Sequence, residues 1–360
     1  MHSRGIALLD ACIEGDMRKI RKLFPLVGGH RGKYGESPLH LACRYGRVRA
    51  ARFLVENGAV ACERKKCGCT PMHAAADGGS AALCELLASH GADVDDHDCK
   101  GNAPLHRFAI EGNVEGVAAA VRCGATVDLP TRGEEGGGFT ALHLAAMHDH
   151  AEVCSALLAA GAEREALRSG GGEGGRGWTP LHAACQGKAD GKIEGRAAAR
   201  LLREGARADA EEVDGRLPLH VAAAFMADGE GAVRVLRAFP QAAERREGKG
   251  LTPLHVAAAF GKELLCREIV ALRPEALEEA SGTGKTPLDY AAEAGSVAIV
   301  RALLELGAEG CGGALVHAAR GGHVAACKAL LDGRGVTPVD IERAAEVAQG
   351  AARRVLRKCR

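Results

Sequence analysis

The sequence predicts an all-α repeat solenoid, built of helix-turn-helix units with short β-hairpin fingers between them. Three observations predict it. A phrase of the form Thr-Pro-Leu-His-x-Ala-Ala returns along the whole 360-residue chain. A glycine and then a second apolar segment follow each copy. Most of those segments stop at Gly-Ala and give way to a polar run that leads to the next copy. A fixed period of this kind marks a repeat architecture, in which each unit buries its apolar face only against its neighbours.

The cleanest copy is Thr252-Pro-Leu-His-Val-Ala-Ala258. Its variants begin at Ser37, Thr70, Ala103, Thr140, Thr179, Leu217, Thr286 and Thr337. Thr or Ser is a good N-cap, because its hydroxyl accepts from an unpaired first-turn amide. Proline suits the next position, where its missing N–H is not needed. The Leu enters the core, and the small residues after it admit a close neighbouring helix. Gly46, Gly78, Gly112, Gly187, Gly261 and Gly295 then suit the left-handed turn that ends a short helix. The second helix is predicted over Ala51–Val55, Ala81–Leu87, Val153–Leu158, Ala197–Leu202 and Val297–Leu304. Gly58, Gly91, Gly124, Gly161, Gly205 and Gly307, each followed by Ala, end it.

With these copies in register, the chain resembles the ankyrin repeat family over nearly its whole length. The resemblance implies about nine full repeats, with degenerate caps, in one array over 1–360. Residues 1–30 read as a worn N-terminal capping repeat, with Leu8-Leu-Asp-Ala-Cys12 in place of the usual phrase and a second helix over Met17–Phe24. Residues 31–308 hold the regular and expanded repeats. The early spacing is close to the family period of about 33 residues. It then widens through Gly133–Gly138, Ser169–Gly177 and Lys188–Gly195, Gly-rich insertions whose closure entropy grows slowly with length and which are expected to be mobile. Phe239-Pro-Gln-Ala and Arg273-Pro-Glu-Ala replace Gly-Ala with a proline corner. Residues 309–360 form shortened repeats and a cap, with the final helices over Ile341–Val347 and Ala351–Cys359 and a basic end that suits a helix C-terminus. Met1 and that basic cap are expected to bound a complete chain.

Composition narrows the function classes. The net charge is +1, so no bulk field favours nucleic acid or acidic membranes. Aromatics are only 3% of residues, too few for base-stacking platforms. The 14 cysteines are scattered through helices and fingers, which suits reduced thiols in a cytoplasmic protein, with the nucleus as the alternative. No apolar run approaches the roughly 20 residues of a membrane span.

Several motifs invite chemistry and are better read as repeat structure. Gly282-Thr-Gly-Lys-Thr286 imitates the end of a phosphate-binding loop, but Glu279 stands where its first glycine belongs, and Thr286-Pro287 opens a repeat helix. Cys62, Cys67, Cys69 and His73 lack structural-zinc spacing. His148-Asp-His150 covers the turn and the residue before a second helix. His40, His73, His106, His143, His182, His220 and His255 lie about one repeat apart, too far for a catalytic dyad or triad. No catalytic residues, metal site or cofactor are expected, and the chain is read as a non-enzyme.

A partner is expected on the concave face of finger tips and first helices. The residue before the phrase and the two after Ala-Ala are the positions assigned to it. The polar early repeats contribute Arg44 and Tyr45 there, while Phe139, Met147, Trp178, Phe225, Leu251 and Phe260 give the later ones an apolar character, with His148 and Arg216 as polar candidates among them. Exposed aromatics are typical interface hot spots. The basic tip Arg64-Lys65-Lys66, facing Asp93, Asp95, Asp96 and Asp98, is a secondary candidate or a mutual attraction between fingers. The function read from the sequence is a monomeric protein-interaction scaffold or adaptor. The alternatives are a recognition arm of a larger signalling or ubiquitin-ligase assembly, or a structural spacer.

Overall fold

A computed structural model describes residues 2–133, 137–168, 177–187, 194–227, 229–333 and 335–358. The chain forms two compact units, Met1–Pro180 and Leu181–Arg360. Most of the Gly-rich insertions, at 134–136, 169–176 and 188–193, lie outside the described residues.

In the first unit the helices come in antiparallel pairs: His2–Glu14 with Met17–Val27, Pro38–Arg44 with Val48–Glu56, Pro71–Asp77 with Ala81–Ser89, Pro104–Glu111 with Val114–Arg122, and Ala141–Met147 with Ala151–Ala159. The second unit opens on Pro180–Gln186 and Arg196–Arg203. It continues with Pro218–Phe225 and Glu230–Ala238, Pro253–Ala259 and Glu263–Leu272, Pro287–Glu293 and Val297–Glu305, Cys311–Arg320 and Val324–Leu331, and Pro338–Val347 and Gly350–Lys358. Within each unit, first helices pack on first helices and second on second, so every pair contacts its sequence neighbours. The proline corners are single 3-10 turns, Pro240–Glu244 and Pro274–Glu278. Proline opens each at no loss of a donor and with φ already set.

The Leu position of the phrase is the core position. Leu8, Leu39, Met72, Leu105 and Leu142 are buried in the first unit, and Leu181, Leu219, Leu254, Leu288 and Leu315 in the second. Each such side chain contributes on the order of 1.5–3 kcal/mol by burial. Val339, the equivalent in the last repeat, is 57% exposed, and Ala344 and Ala345 are buried on its helix instead.

The turn between paired helices needs one left-handed residue. Gly46, Gly112, Gly187, Gly261 and Gly295 supply it. In the third repeat, however, Gly78 is right-handed and Gly79, at φ 69°, makes the turn. Gly78 is needed for closeness instead, since a Cβ there would lie 2.4 Å from the Arg44 carbonyl oxygen on the neighbouring first helix. Asp149, at φ 58°, replaces the turn glycine; Asp tolerates this region better than most residues.

The fingers are tight turns, and no strand occurs among the described residues. Each closes with one or two backbone bonds, such as Lys65 N to Cys69 O at 3.0 Å and Asp98 N to Asn102 O at 3.0 Å. Single bonds join neighbouring fingers: Lys66 N to Tyr34 O, Cys99 N to Cys67 O and Arg132 N to Gly101 O in the first unit, and Gly248 N to Asp214 O and Gly282 N to Lys249 O in the second. Arginine reinforces these links. Arg64 donates to its own Gly68 carbonyl and to the His97 carbonyl of the next finger, and Arg246 repeats the pattern with Gly250 and Ala280. The basic tip and acidic finger therefore hold each other, with Arg64 paired to Asp96.

Candidate functional site

The repeated histidine is structural, and its geometry shows how. Nδ1 accepts the backbone N–H of the N-cap residue: from Ser37 to His40 at 3.3 Å, Thr70 to His73 at 3.2 Å, Ala103 to His106 at 2.9 Å and Thr252 to His255 at 3.2 Å. The Ser or Thr hydroxyl, where present, also meets Nδ1, at 2.8 Å in His40, His73 and His255. Nε2 faces a carbonyl of the following repeat: Cys69 at 3.0 Å from His40, Asn102 at 3.0 Å from His73, Trp178 at 2.9 Å from His143, Arg216 at 3.1 Å from His182 and Leu251 at 3.2 Å from His220. A nitrogen facing a carbonyl must donate, so the ring is the neutral Nε2–H tautomer and Nδ1 keeps its lone pair. Burial opposes protonation and pushes His106, His182 and His220 down to about 4, and it lowers His40, His73 and His255 in the same direction.

Asp289 replaces this histidine in the repeat followed by a shortened finger at 309–313, and Asp340 replaces it in the last described helix pair. Each carboxylate still accepts from its N-cap, from Thr286 N at 2.8 Å and Thr337 N at 3.0 Å, but has no proton to send onward. A second tie enters from the start of four of the second helices. Arg47 donates to Ile13 O, Asn113 to Gly79 O, His150 to Ile110 O and His323 to Glu293 O, all between 2.8 and 3.0 Å. His73 and His150, two candidate metal ligands, are thus engaged in joining repeats. Thr286 of the phosphate-loop-like stretch caps its helix, and Lys285 pairs with Glu293 at 2.7 Å.

The structure sorts the predicted contact residues. Trp178 is a correction: it is only 4% exposed. Its carbonyl accepts from both His143 Nε2 and Arg168 N, each at 2.9 Å, which draws the residue against the preceding repeat. The same tie acts at the residue before the phrase in other repeats and draws this position partly inward. Cys69 is buried too, and Glu36, Asn102, Phe139, Arg216, Leu251 and Lys285 are half-buried. Phe139 lies under the Arg168 guanidinium, 4.1 Å from its ring centroid, and edge-on to His143. Arg168 is a residue the sequence reading missed; a buried cation stacked on an aromatic ring contributes about 2 kcal/mol. Arg216 is held by Glu212, Asp214 and Glu247 at 3.0–3.2 Å. Met147 and His148 are half-buried, and His148 stacks on His150.

The second position after Ala-Ala, at the C-terminal ends of first helices, is exposed in most repeats. In the first unit Arg44 and Tyr45 are exposed, Tyr45 by 48%. In the second unit Phe225 and Phe260 are 49% and 56% exposed, and their rings approach to 6.5 Å between centroids. Arg216 and Leu251 sit at the opposite, finger ends of those helices, about 10 Å away at 1.5 Å per residue.

Comparison with families and structures agrees with this geometry. The family model for ankyrin repeats, which spans three copies, matches residues 8–98, 91–166 and 225–311. The chain belongs to the ankyrin-repeat family. Ankyrin repeats are in general protein-interaction modules. The crystal structure of the human ASB11 ankyrin repeat domain is similar, with TM-score 0.51 and 23% identity over 64% of this chain and 96% of that one; at that identity it supports the fold alone. Comparison with curated proteins found no match. The family model leaves 1–7, 167–224 and 312–360 unmatched, and the internal stretch 167–224 contains the insertions at Ser169–Gly177 and Lys188–Gly195. Among the described residues, no helix is long and apolar enough to cross a membrane.

Proposed function

We propose that the chain is a non-catalytic scaffold or adaptor that binds a partner protein through the C-terminal ends of its first helices and the adjoining finger face. The observation that carries this reading is the Phe225–Phe260 pair, two neighbouring aromatics left half-exposed at the C-terminal ends of adjacent first helices. Aromatic anchors of this kind dominate binding energy, and truncating one costs about 2 kcal/mol or more, a loss of roughly 30-fold in affinity. The half-buried Leu251 and the charged Arg216 cluster extend the face toward the fingers. In the first unit Arg44 and Tyr45 offer a more polar counterpart.

The test begins with proximity labelling to identify the partner, followed by titration of the purified pair. Phe225→Ala and Phe260→Ala are each expected to weaken binding about 30-fold, while thermal unfolding shifts little because both side chains are exposed. Unchanged affinity in the double variant would reject this face.

A further inference from the structure

The finger at 65–69 holds a pair of thiols that its role in stacking does not explain. Cys67 and Cys69 flank Gly68, both are free, and their sulfurs lie 3.2 Å apart. The backbone beneath them is fixed on every side. Cys69 O accepts from Lys65 N and from His40 Nε2, Gly68 O from Arg64, and Cys67 O from Cys99 N. Gly68 is left-handed at φ 72°, and a Cβ there would come within 3.0 Å of Cys99 N, so the residue between the cysteines has to be glycine for the turn to hold both sulfurs on one side. Cys67 is partly exposed and Cys69 is buried behind it. The Arg107 guanidinium reaches Cys69 Sγ at 3.1 Å while also pairing with Asp77 and Asp98.

We propose that the Cys67-Gly68-Cys69 turn is a thiol–disulfide exchange site, which takes small-molecule disulfides as its substrate and closes into a Cys67–Cys69 bridge. The Cys67 thiolate attacks one sulfur of the small disulfide, forming a mixed disulfide and releasing the other half as a thiolate. That thiolate, directly or through water, takes the Cys69 proton. Cys69, now a thiolate, attacks the Cys67 sulfur, forms the intramolecular bond and expels the second half as a thiolate. Two electrons pass from the protein pair to the small disulfide, which leaves as one thiol and one thiolate.

The local charges favour this division of roles. Burial raises the Cys67 thiol, but the Cys69 amide and thiol, together with Lys65, more than offset it, so Cys67 lies below its ordinary value. Burial, and then its neighbour Cys67, push Cys69 up to about 11. The exposed thiol is therefore the attacking one and the enclosed thiol resolves the intermediate, because nucleophilic attack needs the thiolate. Cys62 and Cys99 are exposed thiols on fingers of the same unit and serve as internal controls.

The test incubates the full chain with oxidised glutathione near neutral pH, quenches it in acid, tags the remaining thiols and locates the tags by peptide fragmentation. Cys67 and Cys69 are expected to lose their tags together, with the loss of two hydrogens and no retained glutathione, about tenfold faster than Cys62 or Cys99 react. In Cys69→Ser a stable glutathione adduct is expected on Cys67, and in Cys67→Ser the reaction at Cys69 should slow by about tenfold. A lasting adduct on Cys67 of the unsubstituted chain, or faster reaction at Cys62 or Cys99, overturns the proposal. That mapping uses no variant, so it stands even if serine at 69 disturbs the fold.

Discussion

Lowering the pH from 6.5 to 5 should destabilise the array, because its repeat histidines are held neutral. His106, His182 and His220 lie at about 4 in the folded chain, against an ordinary value of about 6.5. The unfolded chain therefore binds more protons in this window, and stability falls as pH falls. The contribution of each histidine is fully present above the unfolded value and is lost on the way down to the folded one. At pH 5 an unfolded histidine is almost fully protonated and a folded one barely so, which removes about 2 kcal/mol for each of the three. Together that approaches the 5–15 kcal/mol total stability of an ordinary domain, and His40, His73 and His255 act in the same direction. Asp98 and Asp340 are lowered carboxylates, so their contributions fade only below the ordinary carboxylate range, outside this window. The assay is urea unfolding followed by circular dichroism at several pH values from 7 to 5. The midpoint should fall steadily, with a slope near pH 5 of about 1.2 kcal/mol per pH unit for each of the three histidines. His182→Gln should remove one histidine's share of that slope. A midpoint that is flat or rises as pH drops, or a slope that His182→Gln leaves intact, would refute the assignment of these rings as neutral ties.

Two further substitutions separate structure from binding. Trp178→Ala should lower the stability of the first unit by about 3–5 kcal/mol in urea unfolding, as large-to-small changes in a packed interior do, because its side chain is buried; unaltered stability would return it to the exposed face. Gly101→Ala should cost about 1–3 kcal/mol in backbone strain alone, with more from collision. Gly101 sits at φ 77°, and a Cβ would lie 1.6 Å from the Arg132 carbonyl oxygen. Faster hydrogen exchange at the Arg132 amide, which bonds to Gly101 O, is the sign to look for.

Much of this fold is legible because one phrase does several jobs at once. In Thr252-Pro-Leu-His255 the helix start, the core residue and the inter-repeat donor follow directly from residue types and are in place, while the Thr252 hydroxyl meets His255 Nδ1 rather than a first-turn amide. One exception can be read: aspartate at 289 falls in the repeat whose following finger, at 309–313, is shortened. The face was less legible, and for a definite reason. The residue before the phrase looks outward by its place in the finger, but its carbonyl receives the preceding histidine, which encloses Trp178 and Cys69. Exposure at that position depends on contacts across repeats that no local pattern encodes. Phe225 and Phe260, at the helix ends, have no such tie and stay open. Arg168 over Phe139 was equally hidden, because the two meet only when fingers of different length fold side by side.

The repeat histidines act as donors that join neighbouring modules rather than as working bases, and nitrogen-15 spectra of the imidazoles across a pH titration test this most directly. His40, His73, His106, His182, His220 and His255 should each show a protonated Nε2 and a bare Nδ1 while folded, with every ring titrating below its ordinary value and His106, His182 and His220 showing no titration above about pH 5. Rings that exchange between tautomers and titrate near 6.5 in the folded chain would contradict it.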